Sequence, residues 1–256
     1  MIQDILKQKS VTLFIFLAGL FFTNAIVAEF IGGKIFSLEE TLGLPVHTFT
    51  LFGENNLSFN LTAGVLLWPI VFIMTDIINE YYGIKGVRFL SYLTVFFISL
   101  SFFAAFAAIH LVPASWWIHV NKHKGVPDMQ IAYAQLFGQG MWIIAGSIIA
   151  FLFGQLLDIF IFRKIKKITG EGKLWLRATG STLFSQLIDS LVVIFIAFYI
   201  GQGWSFQKVL AIALVGYAYK FFIAICMTPI IYALHFLIEK YLGQNLAQQM
   251  KEQAMQ

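Results

Sequence analysis

Residues 183–195 read LFSQLIDSLVVIF, an apolar run that carries one carboxylate, Asp189, near its middle. A charged side chain at the centre of a lipid-embedded helix costs roughly 2.5–3.5 kcal/mol on insertion scales. The Leu, Ile, Phe and Val residues of the whole apolar run that contains Asp189 favour insertion by an amount on the order of −5 kcal/mol. The segment can therefore insert into a bilayer, and Asp189 then needs a partner inside the protein. An ionisable residue in this setting predicts a functional site.

The composition around this stretch is that of a membrane protein. The chain of 256 residues is 59% hydrophobic and 12% charged, whereas a soluble domain has about 25% charged residues. Its mean hydropathy is +0.80. Apolar runs of about 20 residues can cross a bilayer, and six are present, at residues 11–31, 61–81, 87–111, 137–162, 178–200 and 207–238. The predicted fold class is an all-α membrane protein with six transmembrane helices, in one domain over residues 1–242 followed by a polar cytoplasmic tail over residues 243–256.

The distribution of basic residues predicts the orientation of these helices. With the N-terminus in the cytoplasm, twelve Lys and Arg residues fall in inside segments and four in outside segments, with Lys220 within the membrane. The positive-inside rule favours this arrangement, so both termini are predicted to be cytoplasmic. The inside residues are Lys7, Lys9, Lys85, Arg88, Arg163, Lys164, Lys166, Lys167, Lys173, Arg177, Lys240 and Lys251, and the outside residues are Lys34, Lys122, Lys124 and Lys208. Because they sort by membrane side, the net charge of +4 predicts no nucleic-acid partner.

The segments between the runs carry turn signals. In the first external loop, alternating residues 47–52 and 57–61 flank the turn residues 53–56. This pattern predicts a small β-hairpin on the outer face. On the inner side, residues 82–86 predict a tight turn between two helices, and residues 163–177 predict a basic loop.

Polar residues cluster on single faces of the second and fourth runs. Asp76 and Glu80 stand four residues apart, so both point to one face of a helix. Asp76 lies more than a turn deeper and is predicted to be functional, whereas Glu80 is expected to reach water at the interface. In the fourth run, Gln155 and Asp158 share a face at a spacing of three. A helix-end ion pair with Arg163 is an alternative for Asp158.

The fifth and sixth runs carry the clearest polar stripe. Ser181, Ser185 and Asp189 follow one another at steps of four, joined by Thr182 and Gln186. Small hydroxyls can also serve only to pack helices together. Lys220, near the middle of the sixth run, is too deep to reach either interface easily and is the expected partner of Asp189. A static pair and a site-lining lysine are both open.

The first run adds Asn24 as a hydrogen-bonding candidate, whereas Glu29 near its outer end is expected to meet water. The candidate substrate-binding residues, placed between helices 1, 2, 4, 5 and 6, are Asn24, Asp76, Gln155, Asp158, Ser185, Asp189 and Lys220.

The sequence predicts no metal and no cofactor. Cys226 is the single cysteine, so it has no partner for a disulfide or a metal site within the chain. His110 and His235 lack metal-ligand spacing to another His or Cys. The motifs GxxxxGK, GxSxG and HExxH are absent, which argues against a P-loop nucleotide site and against the corresponding hydrolases.

Several motifs together resemble the bacterial queuosine precursor transporter family, also described as vitamin uptake transporters. The resemblance rests on WPIVFIMTD at 68–76, on GQLLD at 154–158 followed by basic residues, on GSTLF at 180–184 with Asp189, and on the stretch from Tyr217 to Lys220. Asn24 matches the polar position of the family's first helix. The similarity covers about residues 20–240.

This resemblance implies an importer of the bacterial inner membrane with six helices. Its implied substrates are 7-cyano-7-deazaguanine and 7-aminomethyl-7-deazaguanine, precursors of the modified tRNA nucleoside queuosine. Their guanine-like edge offers adjacent N–H donors that a carboxylate of Asp76 or Asp189 can accept. Gln155 and Asn24 would read the carbonyl and ring nitrogens, and Lys220 would face the carbonyl oxygen or keep a carboxylate ionised.

Other functions remain open from the sequence. The chain could be a secondary transporter, or a substrate-binding membrane subunit for a vitamin or purine-like compound that needs a separate ATPase module. An intramembrane enzyme would need a nucleophile with a nearby base, and no such pair is evident. A purely structural protein would pair its charges statically and hold no ligand-sized cavity. A homodimer is compatible with all of these.

Overall fold

The structure is a computed structural model that describes residues 8–138, 141–170 and 173–254. Within these ranges the chain is mainly helical, and five helices are long and apolar enough to cross a membrane. In chain order the elements are α1 (Lys9–Ile31), β1 (Ile35–Ser37), α2 (Leu38–Thr41), β2 (Phe49–Leu51), β3 (Glu54–Leu57), β4 (Asn60–Thr62), α3 (Trp68–Ile109), α4 (Ser115–Ile118), α5 (Met129–Phe137), α6 (Met141–Thr169), α7 (Leu174–Ile194), α8 (Phe206–Leu242) and α9 (Gln244–Gln253). A π-helical segment, Phe195–Ile200, extends α7.

Helix α3 contains both the second and the third predicted runs. It is 42 residues long and bends at Gly83, whose φ of 69° and ψ of −175° are not helical. This backbone region is essentially restricted to glycine. The predicted tight turn over residues 82–86 is therefore replaced by a bend at one residue.

The two parts of α3 have different surroundings. Every residue from Val71 to Tyr81 is buried, so the first part is the central helix of the bundle. Beyond Gly83, large apolar side chains are exposed at Phe89, Phe96 and Phe103. Their spacing of seven residues puts them on one helical face, and in a membrane protein such a face contacts lipid.

The segment between α1 and α3 contains two short antiparallel sheets. Strand β2 pairs with β3 around Phe52 and Gly53, one residue earlier than the turn that the sequence predicts. Strand β1 pairs with β4. The second transmembrane run is predicted to begin at residue 61, but residues 61 and 62 belong to strand β4, and α3 begins only at Trp68.

The predicted basic loop over residues 163–177 is largely helical. Helix α6 continues to Thr169 and α7 begins at Leu174, so basic residues from both helices extend along the bundle. The segment after residue 242 forms α9, which buries Ala247 and Met250. Its end packs at the bend of α3, because a Cβ atom added to Gly83 would lie 2.9 Å from the carbonyl oxygen of Ala254.

Candidate functional site

A cavity lies between α3, α7 and α8, on the central helix of the bundle. It contains about 470 Å³ of space not occupied by protein atoms, part of which is open to the outside. Its wall is mainly apolar, with five polar residues. The lining residues are Val65, Trp68, Pro69, Phe72, Ile73, Asp76, Thr179, Thr182, Gln186, Lys220, Ile223, Ala224, Met227 and Ile231.

Asp76 is the carboxylate that lines this cavity. It is 1% exposed, and its Oδ1 atom has no hydrogen-bond partner among the described residues. Thr182 of α7 lies beside it and donates to Oδ1 of Asp158 at 3.4 Å. The hydroxyl of Ser185 donates to the same oxygen of Asp158 at 3.2 Å. Asp158 and Ser185 are thus behind the cavity wall and reach Asp76 through Thr182.

Gln155 lies about one turn before Asp158 on α6 and, like Asp158, is behind the cavity wall. It is fully buried, and its side-chain carbonyl accepts a hydrogen bond from Thr75 at 2.9 Å. Thr75 precedes Asp76, so this bond ties α6 to the part of α3 that carries the carboxylate. Gln155 does not line the cavity, and it positions the wall instead of facing the interior.

Lys220 and Asp189 form the ion pair that their depth predicts. The ammonium of Lys220 donates to Oδ2 of Asp189 at 2.6 Å, and the two side chains are 15% and 17% exposed. Lys220 lines the cavity, whereas Asp189 lies beside α6. A Cβ atom at Gly154 would lie 3.4 Å from Cβ of Asp189, so the small residue at position 154 leaves room for this carboxylate. Asp189 holds the lysine, and the lysine faces the cavity.

Gln186 is a cavity-lining residue that the sequence places on the polar stripe without assigning it a role. It is 3% exposed, and neither its amide nitrogen nor its amide oxygen has a hydrogen-bond partner in the described part of the chain. The available sequence signal was its spacing, since it follows Thr182 by four residues and precedes Asp189 by three.

One turn beyond Asp76, a second buried cluster surrounds Glu80. The expectation that Glu80 reaches water is wrong, because its side chain is fully buried. Arg177 of α7 donates two hydrogen bonds to it, at 2.8 and 3.2 Å, and Nζ of Lys166 lies 3.1 Å away. These cations belong to the segment predicted as a loop, and burial of a carboxylate requires such partners.

The first helix contributes less to the cavity than predicted. The amide of Asn24 donates to the carbonyl of Leu20 in its own helix at 2.8 Å, and Asn24 does not line the cavity. Glu29, expected to meet outer water, is 7% exposed and accepts a hydrogen bond from Ser147 of α6. The carboxylate faces a neighbouring helix instead of water, so this expectation is also wrong.

The histidine at position 235 is a structural contact within the bundle. Its Nδ1 atom is 3.0 Å from the hydroxyl of Tyr81, and no group of three or more metal-ligating side chains occurs among the residues that the structure describes.

These observations define the class of protein: a multi-pass membrane protein whose central helix, together with two neighbours, encloses a cavity with buried polar groups. Comparison with known proteins gives the family. Residues 62–234 match the family described as "Putative vitamin uptake transporter", and the chain belongs to this family. It is accordingly a transport protein and not an enzyme.

Curated relatives match a similar share of the chain. A "Probable queuosine precursor transporter" of Bacillus subtilis (strain 168) is 30% identical over 192 residues, which are 73% of this chain and 75% of the relative. The "Queuosine precursor transporter" of Escherichia coli (strain K12) is 26% identical over 170 residues, 66% of this chain and 70% of the relative. A relative from Haemophilus influenzae is 25% identical over 183 residues, covering 69% of each chain. No solved structure matches.

Proposed function

We propose that this chain imports 7-deazaguanine precursors of queuosine, 7-cyano-7-deazaguanine or its 7-aminomethyl form, across the bacterial inner membrane. The single observation that carries the proposal is the cavity on α3, in which a buried carboxylate, Asp76, has an unused oxygen. A guanine-type base offers two adjacent N–H donors, which match the two oxygens of a carboxylate. Three relatives are named for queuosine precursors, and that name agrees with this chemistry.

In this proposal two polar residues of the wall contact the base directly. Asp76 accepts the N–H donors of the base, and Lys220 donates to its carbonyl oxygen. Trp68 and Phe72, at the cavity wall, supply aromatic surface for a flat ring. Asp189 keeps Lys220 in place. Gln155, Asp158 and Ser185 act from behind the wall by holding Thr75 and Thr182.

We further propose that transport is secondary active and that protons drive it. Asp76 and Asp158 are both buried and interact electrostatically. The hydroxyl of Thr182 lies next to both carboxyl groups. Two carboxyl groups in one low-dielectric site favour sharing a proton over ionising together. Binding of an N–H donor pair to Asp76 favours the charged form of Asp76 and leaves the shared proton on Asp158, so that substrate and proton are carried inward together.

The test is uptake by the purified chain in liposomes without any ATPase. Labelled 7-cyano-7-deazaguanine is added outside under an inward proton gradient, with and without a proton ionophore and with excess adenine as competitor. We expect uptake that the ionophore abolishes and adenine leaves unchanged, because adenine lacks the N–H pair. Asp76→Asn should lower kcat/KM at least about tenfold, since hydrogen bonds to a charged group contribute about 1.5–3 kcal/mol.

Glu40→Gln is the matched control, because it makes the same carboxylate-to-amide change at an exposed position of α2. It should transport at the wild-type rate. Liposomes that take up no labelled precursor contradict the import proposal, and uptake that continues at full rate after the ionophore contradicts proton coupling alone.

A further inference from the structure

At one end, the cavity is followed by a layer of buried polar contacts. The lining residues closest to this end are Asp76 on α3, Thr179 on α7 and Ile231 on α8. The bundle continues from here towards the side that the sequence predicts to be cytoplasmic. Within about one helical turn of the three lining residues, the same helices carry Glu80, Tyr81, Arg177 and His235.

Two contacts in this layer join α3 to its neighbours. Arg177 of α7 donates to Glu80 at 2.8 and 3.2 Å, and the hydroxyl of Tyr81 is 3.0 Å from Nδ1 of His235 on α8. All four residues are at most 6% exposed. On the far side of the layer, Nζ of Lys251 on α9 lies 5.6 Å from the ring centroid of Tyr81. The layer is therefore packed, and α9 covers it.

Helices α7 and α8 are joined to each other at two levels. The hydroxyls of Thr179 and Thr228 are 2.8 Å apart, and Lys220 donates to Asp189 at 2.6 Å. These two contacts are separated by about 15 Å along α7, because each residue adds about 1.5 Å to a helix. We therefore expect α7 and α8 to move as a pair, so that an opening beside them forms where α3 separates from this pair.

The other end of the cavity has a different lining on α3. From the start of the helix to Asp76, α3 lines the cavity with apolar and aromatic side chains, those of Trp68, Pro69, Phe72 and Ile73. Part of the cavity is open to the outside of the protein. Since the inner end is covered by the polar layer, we expect the opening at the end where α3 begins, which the sequence predicts to be the outer side.

We propose that Glu80, Tyr81, Arg177 and His235 form the inner gate of this transport protein. A substrate beside Asp76 reaches the cytoplasm when α3 separates from α7 and α8 at these four residues. Hydrogen bonds and charged pairs are directional, so the gate can open and then close again in the same geometry. The inference goes beyond the proposed function, because it holds for whichever compound the cavity carries.

The experiment measures access to the cavity from each side of the membrane. Ala224→Cys places a thiol at the cavity wall, in a Cys226→Ser background that removes the single native cysteine. A membrane-impermeant methanethiosulfonate is added to right-side-out vesicles and to inside-out vesicles. We expect modification to be at least about tenfold faster from the outer face, because access from the cytoplasm requires breaking both a hydrogen bond and a charged pair.

One substitution and a matched control identify the gate. Tyr81→Phe removes only the hydroxyl that contacts His235, and modification from the cytoplasmic face should become about three- to tenfold faster, as expected for the loss of one hydrogen bond. Tyr82→Phe makes the same change at the next residue, whose hydroxyl donates to the carbonyl of Ser10 on α1 at 2.6 Å. Because this bond does not join α3 to α7 or α8, both rates should stay unchanged.

The outcomes separate the gate from the proposed function. Equal rates from the two faces with Tyr81 intact, whether fast or slow, overturn the inner gate. An unchanged cytoplasmic rate in Tyr81→Phe, or the same increase in Tyr82→Phe, overturns the role of the contact with His235. If Tyr81→Phe does not insert, the comparison of the two faces still decides. The labelling needs no substrate, so a failure to import 7-cyano-7-deazaguanine would contradict the proposed function alone.

Discussion

At the scale of single residues, Glu80 is held by two buried cations, and the loss of one charge has unequal consequences. Glu80 contacts Arg177 at 2.8 Å and Lys166 at 3.1 Å, and all three side chains are at most 4% exposed. Removing the Glu80 carboxylate leaves two buried cations without the negative charge between them. Removing Arg177 leaves the carboxylate still paired with Lys166.

We therefore predict that Glu80→Gln destabilises the protein more than Arg177→Met does. Breaking a buried ion pair by removing one partner costs about 3–5 kcal/mol, and Glu80→Gln should lie at that level. Thermal unfolding of the detergent-purified variants measures the order. Lys167→Met is the control, because this neighbouring lysine is exposed and should leave Tm unchanged. If Arg177→Met lowers Tm as much as Glu80→Gln does, or more, the proposed balance of charges is wrong.

The sequence located correctly those residues whose burial follows from their position within a single apolar run. Asp76, Asp189 and Lys220 lie more than one helical turn inside an apolar run, and the structure buries or pairs them. Glu80 and Glu29 were misplaced because each lies nearer a run's end, and spacing within one helix does not show what a distant segment places opposite. One of the two partners of Glu80, Arg177, is 97 residues away.

At the scale of elements, the bend of α3 depends on one glycine and on the end of α9. Gly83 has a φ of 69°, and an added Cβ would lie 2.9 Å from the Ala254 carbonyl oxygen. A side chain at this position would thus meet two separate obstacles, the backbone conformation and the contact with Ala254. The apolar pattern on each side could be predicted from the sequence, but this conformation depends on a contact made by the far end of the chain.

We predict that Gly83→Ala lowers Tm, with a torsional cost of about 1–3 kcal/mol and a steric cost in addition. Truncation after Gln253 removes the steric part alone. The substitution should therefore cost less in the truncated chain than in the full chain, as a double-mutant cycle of Tm values would show. Gly216→Ala, where nothing lies within 4 Å of an added Cβ, is the control and should not lower Tm. Equal costs in both chains would show that the end of α9 does not constrain the bend.

At the scale of the whole molecule, the number of membrane crossings depends on whether α3 crosses once or twice. Its 42 residues correspond to about 63 Å of helix, roughly twice the hydrocarbon thickness of a bilayer, about 30 Å. The part after Gly83 exposes large apolar side chains from Phe89 to Phe106. A single crossing would leave many of them in water, so two crossings, and six in total, agree better with the hydrophobic effect.

We therefore predict that the segments before and after α3 lie on the same, outer side of the membrane. In a Cys226→Ser background, Asn55→Cys in the β2–β3 hairpin and Lys122→Cys after α3 should both react with a membrane-impermeant maleimide in intact cells. Lys167→Cys and Glu252→Cys should react only after permeabilisation, because the positive-inside rule favours a cytoplasmic position for the basic segment around residue 167 and for both ends of the chain. All four positions precede or follow a long helix and can be compared within one labelling experiment. A single crossing of α3 would put positions 55 and 122 on opposite sides, and only one of them would then be labelled in intact cells.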